Sequence, residues 1–437
     1  MQDCPPVLDI VIETLDADEL AALQEMRLRQ QWGYVRESSE FYAGRLPDEI
    51  SLDWLQDVGF TDKEELRASQ EAAPPFGTYV ATDEDAIVRL HRTSGMSGSG
   101  MNLGYTERDS DVTTAIGARG MHAAGLRPYH RVVHCLNYQL WTGGVTDHLI
   151  LEAAGATVVP FGVGHTAGLV RAIRELGVNA ISCTPSYPAL LAKVLREETD
   201  LEPRDLGLEL ALFGGEAGLD NADFRRGLEE TWGFQVRNAN FGLSEVLSIL
   251  GSQCEETTDL HFHASDAVCA EIIDPASLQR LPIAEGTTGE LVCTHLAREC
   301  QPLVRYRCRD VVTVTGTGPC ACGRTAWRFR IAGRTDDMFN VRGVNVFPTA
   351  VRAVVAGLPE LLSGHLRIDL RGPGPYDRIE LRAEAARSLP EARFAEAKGV
   401  VDERLKTVIG AGADATIVPY EALGRTAHKT SYVERHP

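Results

Sequence analysis

The chain has 437 residues, of which 44% are apolar and 24% are charged. This length predicts two or three domains, and the composition is that of an ordinary globular protein. The formal net charge of −19 argues against nucleic acid or an anionic membrane surface as a partner.

The N-terminal residues 1–20 are acidic and lack the basic region and apolar core of a secretory signal. No stretch of the sequence reaches the apolar length of a membrane span. The ten cysteines are spread along the chain, which is typical of a reducing compartment where metal binding or buried thiols are commoner than disulfides. We therefore expect a cytoplasmic protein without a membrane partner.

Residues 8–72 have the amphipathic pattern of helices. Asp16 is placed to cap a helix that carries Leu20 and Leu23, and the segment 60–66 has the pattern of a second capped helix start. A helical segment is therefore predicted to precede the main fold.

From about residue 85 the pattern changes to short apolar strands that alternate with helices. The predicted strands cover residues 86–90, 132–135, 156–160, 180–183 and 210–213. Alternation at this spacing predicts an α/β core with parallel strands.

Residues 254–332 are richer in β-branched residues and turns, which predicts a smaller β-rich subdomain. Beyond about residue 337 the pattern predicts a compact α+β unit. Its predicted strands cover 367–370 and 379–383, a helix covers about 390–407, and the last strand covers 415–418.

The segment 91–100, HRTSGMSGSG, follows the first predicted strand. Its glycines let backbone N–H groups turn toward an anion, and its hydroxyl groups add further donors. A loop of this composition is as often a plain linker, so it is weak evidence on its own.

Residues 333–349 read GRTDDMFNVRGVNVFPT, a turn followed by a mixed segment and Gly-Val-Asn-Val-Phe-Pro. This run resembles the hinge of the adenylate-forming enzymes in the form typical of their phenylacetate–CoA ligase branch. The resemblance extends in order over nearly the whole chain. It implies an α/β adenylate-forming fold with a large N-terminal domain over 1–332, including the β-rich subdomain 254–332. It also implies a small mobile α+β domain over 337–437, with Asp336 as the hinge residue.

The Gly/Ser loop is similar to the phosphate loop of that family, which implies that it binds ATP. The residues assigned to the phosphates are Thr93, Ser94, Gly95, Ser97 and Gly98. Ser99 stands where the family has a lysine, so either the loop holds the triphosphate without that charge or Arg92 supplies it.

The family's later motifs imply further contacts with ATP or AMP. These are assigned to Gly215, Glu216, Asn240, Phe241, Gly242, Ser244, Asp310 and Arg334. Phe241 replaces the usual tyrosine and keeps a stacking face without the hydroxyl. Asp310 would accept two hydrogen bonds from the ribose hydroxyls, and Glu245 would be the hard oxygen ligand of Mg²⁺. Each motif also has a structural alternative. The segment around Gly215 could be only a strand-to-helix turn, and Ser244 with Glu245 could be only a helix cap. Asp310 could belong to a surface ion cluster that includes Arg305 and Arg307.

Near the C-terminus, residues 423–429 resemble the family's terminal lysine segment, with His428 in place of the usual glycine. The resemblance assigns catalysis to Lys429, because a mobile cation at the bridging oxygens stabilises the charge that develops during adenylation. An exposed terminal lysine without a function is the alternative.

The resemblance also implies an acid pocket, which it assigns to Tyr138, Trp141, Gly214 and Tyr187. Two aromatic side chains near a carboxylate site fit a flat aryl substrate, although they fit a hydrophobic core equally well. His148 follows in the same helix, and we assign it no role.

The residues Cys254, His261, Cys320 and Cys322 match a pattern that part of the branch uses for a structural zinc ion. Buried thiols without a metal are the alternative. Substitute ligands would be His263, Cys293, Cys300 and Cys308.

The resemblance therefore implies ATP-dependent activation of an aryl or arylalkyl carboxylic acid to an acyl adenylate, followed by transfer to the thiol of CoA. One alternative is a stand-alone adenylating enzyme that transfers to a carrier protein, an amine or a hydroxyl group. Another is a non-catalytic relative that only binds nucleotide and acid. The sequence leaves open the oligomeric state, for which members of the branch often form homodimers.

Overall fold

The computed structural model describes residues 7–93, 100–216, 218–342, 344–372, 374–424 and 432–436. The chain forms two compact units. Unit 1 comprises residues 1–215, 231–308 and 313–330, and unit 2 comprises residues 216–230, 309–312 and 331–437. The mobile domain over 337–437 and its hinge stay predictions.

The helices of the described ranges are α1 (Ile10–Glu13), α2 (Ala17–Ser38), α3 (Lys63–Ala72), α4 (Glu107–Ala123), α5 (Thr142–Ala153), α6 (Thr166–Glu175), α7 (Tyr187–Glu198), α8 (Ala222–Trp232), α9 (Pro348–Ala356) and α10 (Phe394–Ile409). None of these helices combines the length and the apolar character that crossing a bilayer requires.

The strands up to residue 253 are β1 (Arg89–Arg92), β2 (Asn102–Tyr105), β3 (Arg131–His134), β4 (Thr157–Pro160), β5 (Ala180–Cys183), β6 (Leu210–Gly214), β7 (Gln235–Leu243) and β8 (Leu247–Gln253). The β-rich region contains β9 (Leu260–Phe262), β10 (Val268–Ile273), β11 (Arg280–Leu281), β12 (Thr288–His295), β13 (Tyr306–Gly316) and β14 (Arg328–Arg334). The remaining strands are β15 (Phe339–Val341), β16 (Val344–Val346), β17 (Leu362–Arg371), β18 (Ile379–Ala385), β19 (Ala413–Val418) and β20 (Val433–His436).

The predicted N-terminal caps are present on two helices. Asp16 caps α2 and Asp62 caps α3, each through a capping box in which a glutamate at the third helical position returns a hydrogen bond. The cap at Asp62 makes Lys63 the first residue of α3, so its side chain projects from the helix start.

One twelve-stranded sheet has the order β11-β10-β12-β13-β14-β9-β8-β7-β6-β5-β3-β4. Strands β4, β3, β5, β6 and β7 are parallel to one another, which confirms the predicted α/β core. From β7 onward the pairs β7–β8 and β8–β9 are antiparallel, as expected for a β-rich region.

The hydrophobic core beside the parallel strands joins α4, α5 and the sheet. Leu126, Val132, Ile150, Leu151 and Leu210 are among its buried members. A Cβ at Gly117 of α4 would lie 2.4 Å from Ile150 of α5, so these two helices pack at a distance that only glycine allows. This packing positions α5 for the site described below.

The strand predicted over 86–90 is wrong in its bounds. Residues 84–86 form a 3₁₀ turn, and β1 begins at Arg89 and pairs antiparallel with β2. Val88 and Leu90 are more than half exposed, at 54% and 51%, so this apolar run does not fill a buried strand of the parallel sheet. The Gly/Ser loop therefore joins two strands of a hairpin.

The predicted alternative of a surface ion cluster around Arg305 is also wrong. Arg305 is 3% exposed and pairs with Glu271 through hydrogen bonds of 2.9 and 3.0 Å. Arg307 pairs with the fully buried Glu290 at 2.9 and 2.8 Å. Both arginines thus have structural partners within the β-rich region.

Unit 2 contains a four-stranded sheet with the order β19-β18-β17-β20. Its core includes Val355, Leu366, Ile368 and Leu381, and Val401 of α10 packs in the same cluster. Strand β20 follows the strand that was predicted to be the last one, and it pairs parallel with β17. Its sequence Val-Glu-Arg-His has a single apolar residue, so hydrophobic periodicity does not reveal it.

Candidate active site

Unit 1 gathers the predicted pocket residues at one edge of the parallel strands. Tyr138 and Trp141 follow β3, Tyr187 begins the helix after β5, and Gly214 ends β6. Because these parallel strands are neighbours, the residues after their carboxyl ends lie along the same crevice, where open α/β sheets bind ligands.

Two glycines keep the backbone close to this crevice. A Cβ at Gly214 would lie 2.5 Å from the Cβ of Asn240, so any side chain there would collide with β7. Gly215 has a φ of 78°, and a Cβ there would lie 3.5 Å from the Trp141 ring and 3.8 Å from Thr184. The turn after β6 therefore borders both Trp141 and Asn240.

The end of β7 contacts the start of α5. Ser244 and Thr142 share a hydrogen bond of 2.9 Å between their hydroxyl oxygens. A Cβ at Gly242 would lie 1.9 Å from the carbonyl oxygen of Ser248, so the tight approach of β7 to β8 requires glycine. These contacts place Ser244 of the predicted nucleotide motif beside the helix of the predicted acid pocket.

Asp147 of α5 holds two side chains of β7 and β8. Its Oδ2 accepts from the Asn240 amide at 2.6 Å, and its Oδ1 accepts from the Ser248 hydroxyl at 2.5 Å. Burial raises the pKa of the Asp147 carboxyl to about 7, while the hydrogen bonds from Ser248 and Asn240 oppose that shift. Sequence reasoning missed Asp147, although an acid in the helix after Thr-Gly-Gly was a visible signal.

Phe241 packs against β14, whereas the neighbouring Asn240 contacts α5. Its ring packs edge-to-face against Phe329, with 5.4 Å between the ring centroids. This contact leaves Phe241 available as an aromatic surface on a face of the strand that is not turned to α5.

A hydrogen-bonded chain fixes the Tyr138 side chain. The Tyr138 hydroxyl donates to Nδ1 of His148 at 2.9 Å, and Nε2 of His148 donates to Glu152 at 3.0 Å. The carboxylate accepts only, so it sets the tautomer of His148. His148, to which the sequence assigned no role, orients Tyr138.

Glu245, the predicted Mg²⁺ ligand, is buried and forms an ion pair with the ammonium group of Lys63. Only 7% of the Glu245 side chain is exposed, compared with 32% of the Lys63 side chain. Lys63 belongs to the start of α3 and was not among the predicted site residues. Its signal was its scarcity, because the chain has only five lysines.

Of the residues assigned to the phosphates, Thr93 alone lies within the described ranges. The Thr93 amide donates to the Met101 carbonyl, and the Thr93 hydroxyl accepts from the Met101 amide, both at 2.9 Å. Thr93 thus closes the base of the loop, while Arg92 donates from Nε to the Asn102 side chain at 2.8 Å. The predicted residues Ser94, Gly95, Ser97 and Gly98 lie outside the described ranges, as does Lys429.

Unit 2 brings together three of the predicted residues. Arg334 donates to Asp310 at 2.9 Å and to both carboxylate oxygens of Asp336 at 2.9 Å. Asp310 is 7% exposed, so its carboxylate is mostly shielded from water. Glu216 also belongs to unit 2.

Four potential metal ligands converge in unit 1, as predicted from the sequence. Cys254 follows β8, His261 lies in β9, and Cys320 and Cys322 lie between β13 and β14. Their ligand atoms all lie within 4.8 Å of one another, with 3.9 Å between the sulfurs of Cys254 and Cys320. The distance from Cys322 Sγ to His261 Nε2 is 3.7 Å.

These distances match the edges of a tetrahedron around zinc, which are about 3.8 Å for Zn–S bonds of about 2.3 Å. The hydrogen bond between the thiols of Cys322 and Cys254 lowers the pKa of Cys322 and raises that of Cys254. Nδ1 of His261 is buried and lacks a hydrogen-bond partner among the described residues. The donor set therefore fits a closed zinc site. His263, Cys293, Cys300 and Cys308 are not part of this group.

Comparison with known proteins identifies relatives that are similar over most of the length of this chain. Residues 343–435 match the family of AMP-binding enzyme C-terminal domains. A phenylacetate-coenzyme A ligase of Thermus thermophilus is 38% identical over 385 residues, which are 86% of this chain and 83% of that protein. One of Pseudomonas putida is 34% identical over 436 residues, covering 97% and 95% of the two chains.

Among solved structures, 2-hydroxyisobutyryl-CoA ligase in the postadenylation state in complex with 2-HIB-AMP has a TM-score of 0.90 to this chain. The two chains are 30% identical, and the match covers 100% of this chain and 93% of that one.

Proposed function

This chain belongs to the phenylacetate–CoA ligase branch of the adenylate-forming enzymes, and on that premise we propose that its substrate is an aryl or arylalkyl carboxylic acid. The enzyme activates a carboxylic acid with ATP to an acyl adenylate and transfers the acyl group to CoA. The observation that supports an aryl acid is the position of Tyr138 and Trp141 along the crevice at the carboxyl edge of the parallel strands, beside Gly214 and Gly215.

In the first step a carboxylate oxygen attacks the α-phosphorus of ATP, and pyrophosphate leaves. In the second step the thiol of CoA loses its proton and attacks the carbonyl carbon, and AMP leaves with the electrons of the broken C–O bond. Glu245 would hold Mg²⁺, which would neutralise phosphate charge. Asp310 would accept hydrogen bonds from the ribose hydroxyls, and Phe241 would stack on the adenine.

Ser99 occupies the position of the usual loop lysine, so either the loop holds the triphosphate without that charge or another cation supplies it. Arg92 is one candidate, although its Nε already donates to Asn102. Lys63 is a second candidate, since its ammonium group is partly exposed and lies against Glu245. We favour Lys63, because a phosphate could replace or share the carboxylate as its partner.

Lys429 is proposed to stabilise the charge that develops at the α-phosphate. The hinge at Asp336 and the reorientation of residues 337–437 between the two steps belong to the same proposal. The order of the family's motifs along the chain is what supports these assignments.

We also propose that Cys254, His261, Cys320 and Cys322 hold a structural zinc ion. Elemental analysis by inductively coupled plasma mass spectrometry is expected to find about one zinc ion per chain in the purified protein. Cys322→Ser should lose the metal and lower the midpoint of thermal unfolding by more than about 5 °C, because a closed zinc site stabilises the fold. Cys293→Ser, at a buried thiol outside the group, should keep the metal. Metal-free protein that unfolds like a zinc-supplemented sample would contradict the proposal.

The proposed activity is tested by pyrophosphate release with an acid panel, with and without CoA. The panel contains phenylacetic, benzoic, cyclohexylacetic, 2-hydroxyisobutyric and acetic acids. Release that depends on an aryl acid, together with thioester formed on addition of CoA, is the expected result. Release without any thioester would favour transfer to a carrier protein, an amine or a hydroxyl group. Nucleotide binding without release would establish a non-catalytic protein.

A further inference from the structure

The side chain of Asn240 faces the predicted acid pocket and not the aromatic face of Phe241. Its amide nitrogen contacts Asp147 of α5, the helix that begins directly after Trp141. Its Cβ lies against Gly214, where a glycine is required by the 2.5 Å approach. Phe241, the next residue, packs instead against Phe329 of β14. The residues that surround Asn240 are therefore those assigned to the acid, although Asn240 itself was assigned to the nucleotide.

The orientation of the Asn240 amide is set by its neighbour. Asp147 is 1% exposed, and its two carboxylate oxygens accept from Ser248 and from Asn240. When the Asp147 carboxyl is ionised it can only accept, so Asn240 then presents its NH₂ group to Asp147. The other half of the amide is the carbonyl oxygen Oδ1, which has no hydrogen-bond partner among the described residues. Asn240 is only partly buried, so this oxygen is available to a ligand.

A fixed acceptor beside Gly214 and α5, the elements assigned to the acid, has a chemical consequence. When an acid whose ring has only C–H groups binds, this oxygen loses its hydrogen bond to water and gains none from the acid. An acid with an O–H or N–H group at the right place would satisfy it. A pocket built to hydrogen-bond a substrate hydroxyl therefore discriminates against the analogue that lacks the hydroxyl.

We propose that the acid pocket selects a carboxylic acid that carries a hydroxyl or amino group on its ring, and that this group donates to Oδ1 of Asn240. The inference rests on the proposed function and narrows its substrate class. Asn240 is the specificity-determining residue, and Asp147 is a positioning residue that acts through it.

The test compares acids of equal size with and without a donor. Pyrophosphate release is measured at pH 8, where the carboxylate of Asp147 is ionised, for 3- and 4-hydroxyphenylacetic acid and for 3- and 4-aminophenylacetic acid. The matched acids are 3- and 4-methylphenylacetic acid and unsubstituted phenylacetic acid. For the wild type, kcat/KM of the best donor acid should exceed that of its methyl analogue by at least about tenfold.

Asn240→Leu keeps the approximate shape of the side chain and removes the acceptor. It should reverse the preference, so that the methyl analogue is used better than the donor acid, while the KM for ATP stays within about twofold. Asp147→Asn keeps the volume but offers Asn240 a donor as well as an acceptor. It should raise the KM of the donor acid and lower the discrimination ratio, and Asp147→Glu should restore neither the KM nor the ratio in full, because its longer side chain moves the carboxylate away from Asn240.

Several results would overturn the inference. A wild type that uses the methyl analogue as well as the donor acids would do so, and so would a preference that survives Asn240→Leu. If Asn240→Leu does not fold, as judged by circular dichroism, the wild-type ratio alone decides.

If no acid releases pyrophosphate, the proposed function fails by itself. The inference is then decided by calorimetric binding of the same acids to the wild type. Tighter binding of the donor acids would support it, and equal binding would overturn it.

Discussion

Lys429→Ala is expected to slow adenylation by at least about 10²-fold, while thioester formation from supplied acyl adenylate and CoA stays near the wild-type rate. The reason is that the carboxylate, the α-phosphate and the departing pyrophosphate bring three anionic groups together in the first step only. A positive charge at the bridging oxygens stabilises that transition state more than the bound reactants, so its loss lowers kcat. Single-turnover pyrophosphate release measures the first step, and the two steps are assayed separately.

The control for this experiment is Lys406→Ala, which removes an exposed lysine of α10 in the same unit. It should leave both steps unchanged, which would exclude a general effect of net charge on nucleotide binding. Equal loss of both steps in Lys429→Ala would contradict the assignment, because a residue that only supports the fold affects every reaction alike.

Glu245→Gln and Lys63→Met are each expected to lower kcat/KM for ATP by about 10²-fold or more. The amide of glutamine is a poorer magnesium ligand than a carboxylate, and methionine removes the ammonium group that lies against Glu245. Because the two groups form one ion pair, the double variant should lose much less than the product of the two single losses. Steady-state kinetics over a range of Mg²⁺ concentrations measures kcat/KM for ATP in the single and double variants. Excess Mg²⁺ should restore the activity of Lys63→Met better than that of Glu245→Gln.

The control for Lys63 in these variants is Lys193 of α7. Its ammonium group lies 3.9 Å from the carboxylate of Glu197, and both side chains are exposed. An exposed pair of this kind contributes little, so Lys193→Met should leave kcat/KM unchanged. Additive losses in the Lys63 and Glu245 double variant would show that the two residues act independently, and this would remove Lys63 from the proposed phosphate site.

The parts of the fold that sequence reasoning predicted depend on short-range signals. The cap at Asp16 and the capped helix start within 60–66 were predicted because capping signals lie within a few consecutive residues. The parallel strands were identified because each is a separate apolar run between helices. The strand at 86–90 was misplaced because an apolar run does not reveal that Val88 and Leu90 are exposed on a hairpin. Strand β20 was missed because its pairing with β17, and not its composition, defines it.

The site residues that were missed depend on contacts between distant parts of the chain. Lys63 and Glu245 are separated by 182 positions, and Asn240 and Asp147 by 93. No local pattern indicates that such residues meet. His148 is a similar case, because its function is to orient Tyr138 ten positions earlier. The four potential metal ligands were singled out only because the family's spacing connects positions that lie far apart in the chain.

The ion pair between Lys63 and Glu245 has a consequence for the order in which the enzyme is loaded. An ammonium group that already neutralises the carboxylate weakens its attraction for a divalent ion arriving alone, since two cations would then compete for one anion. The polyphosphate of a nucleotide supplies the missing negative charge for both cations. The resting protein would therefore resist adventitious metals and take up magnesium together with ATP, as a single complex.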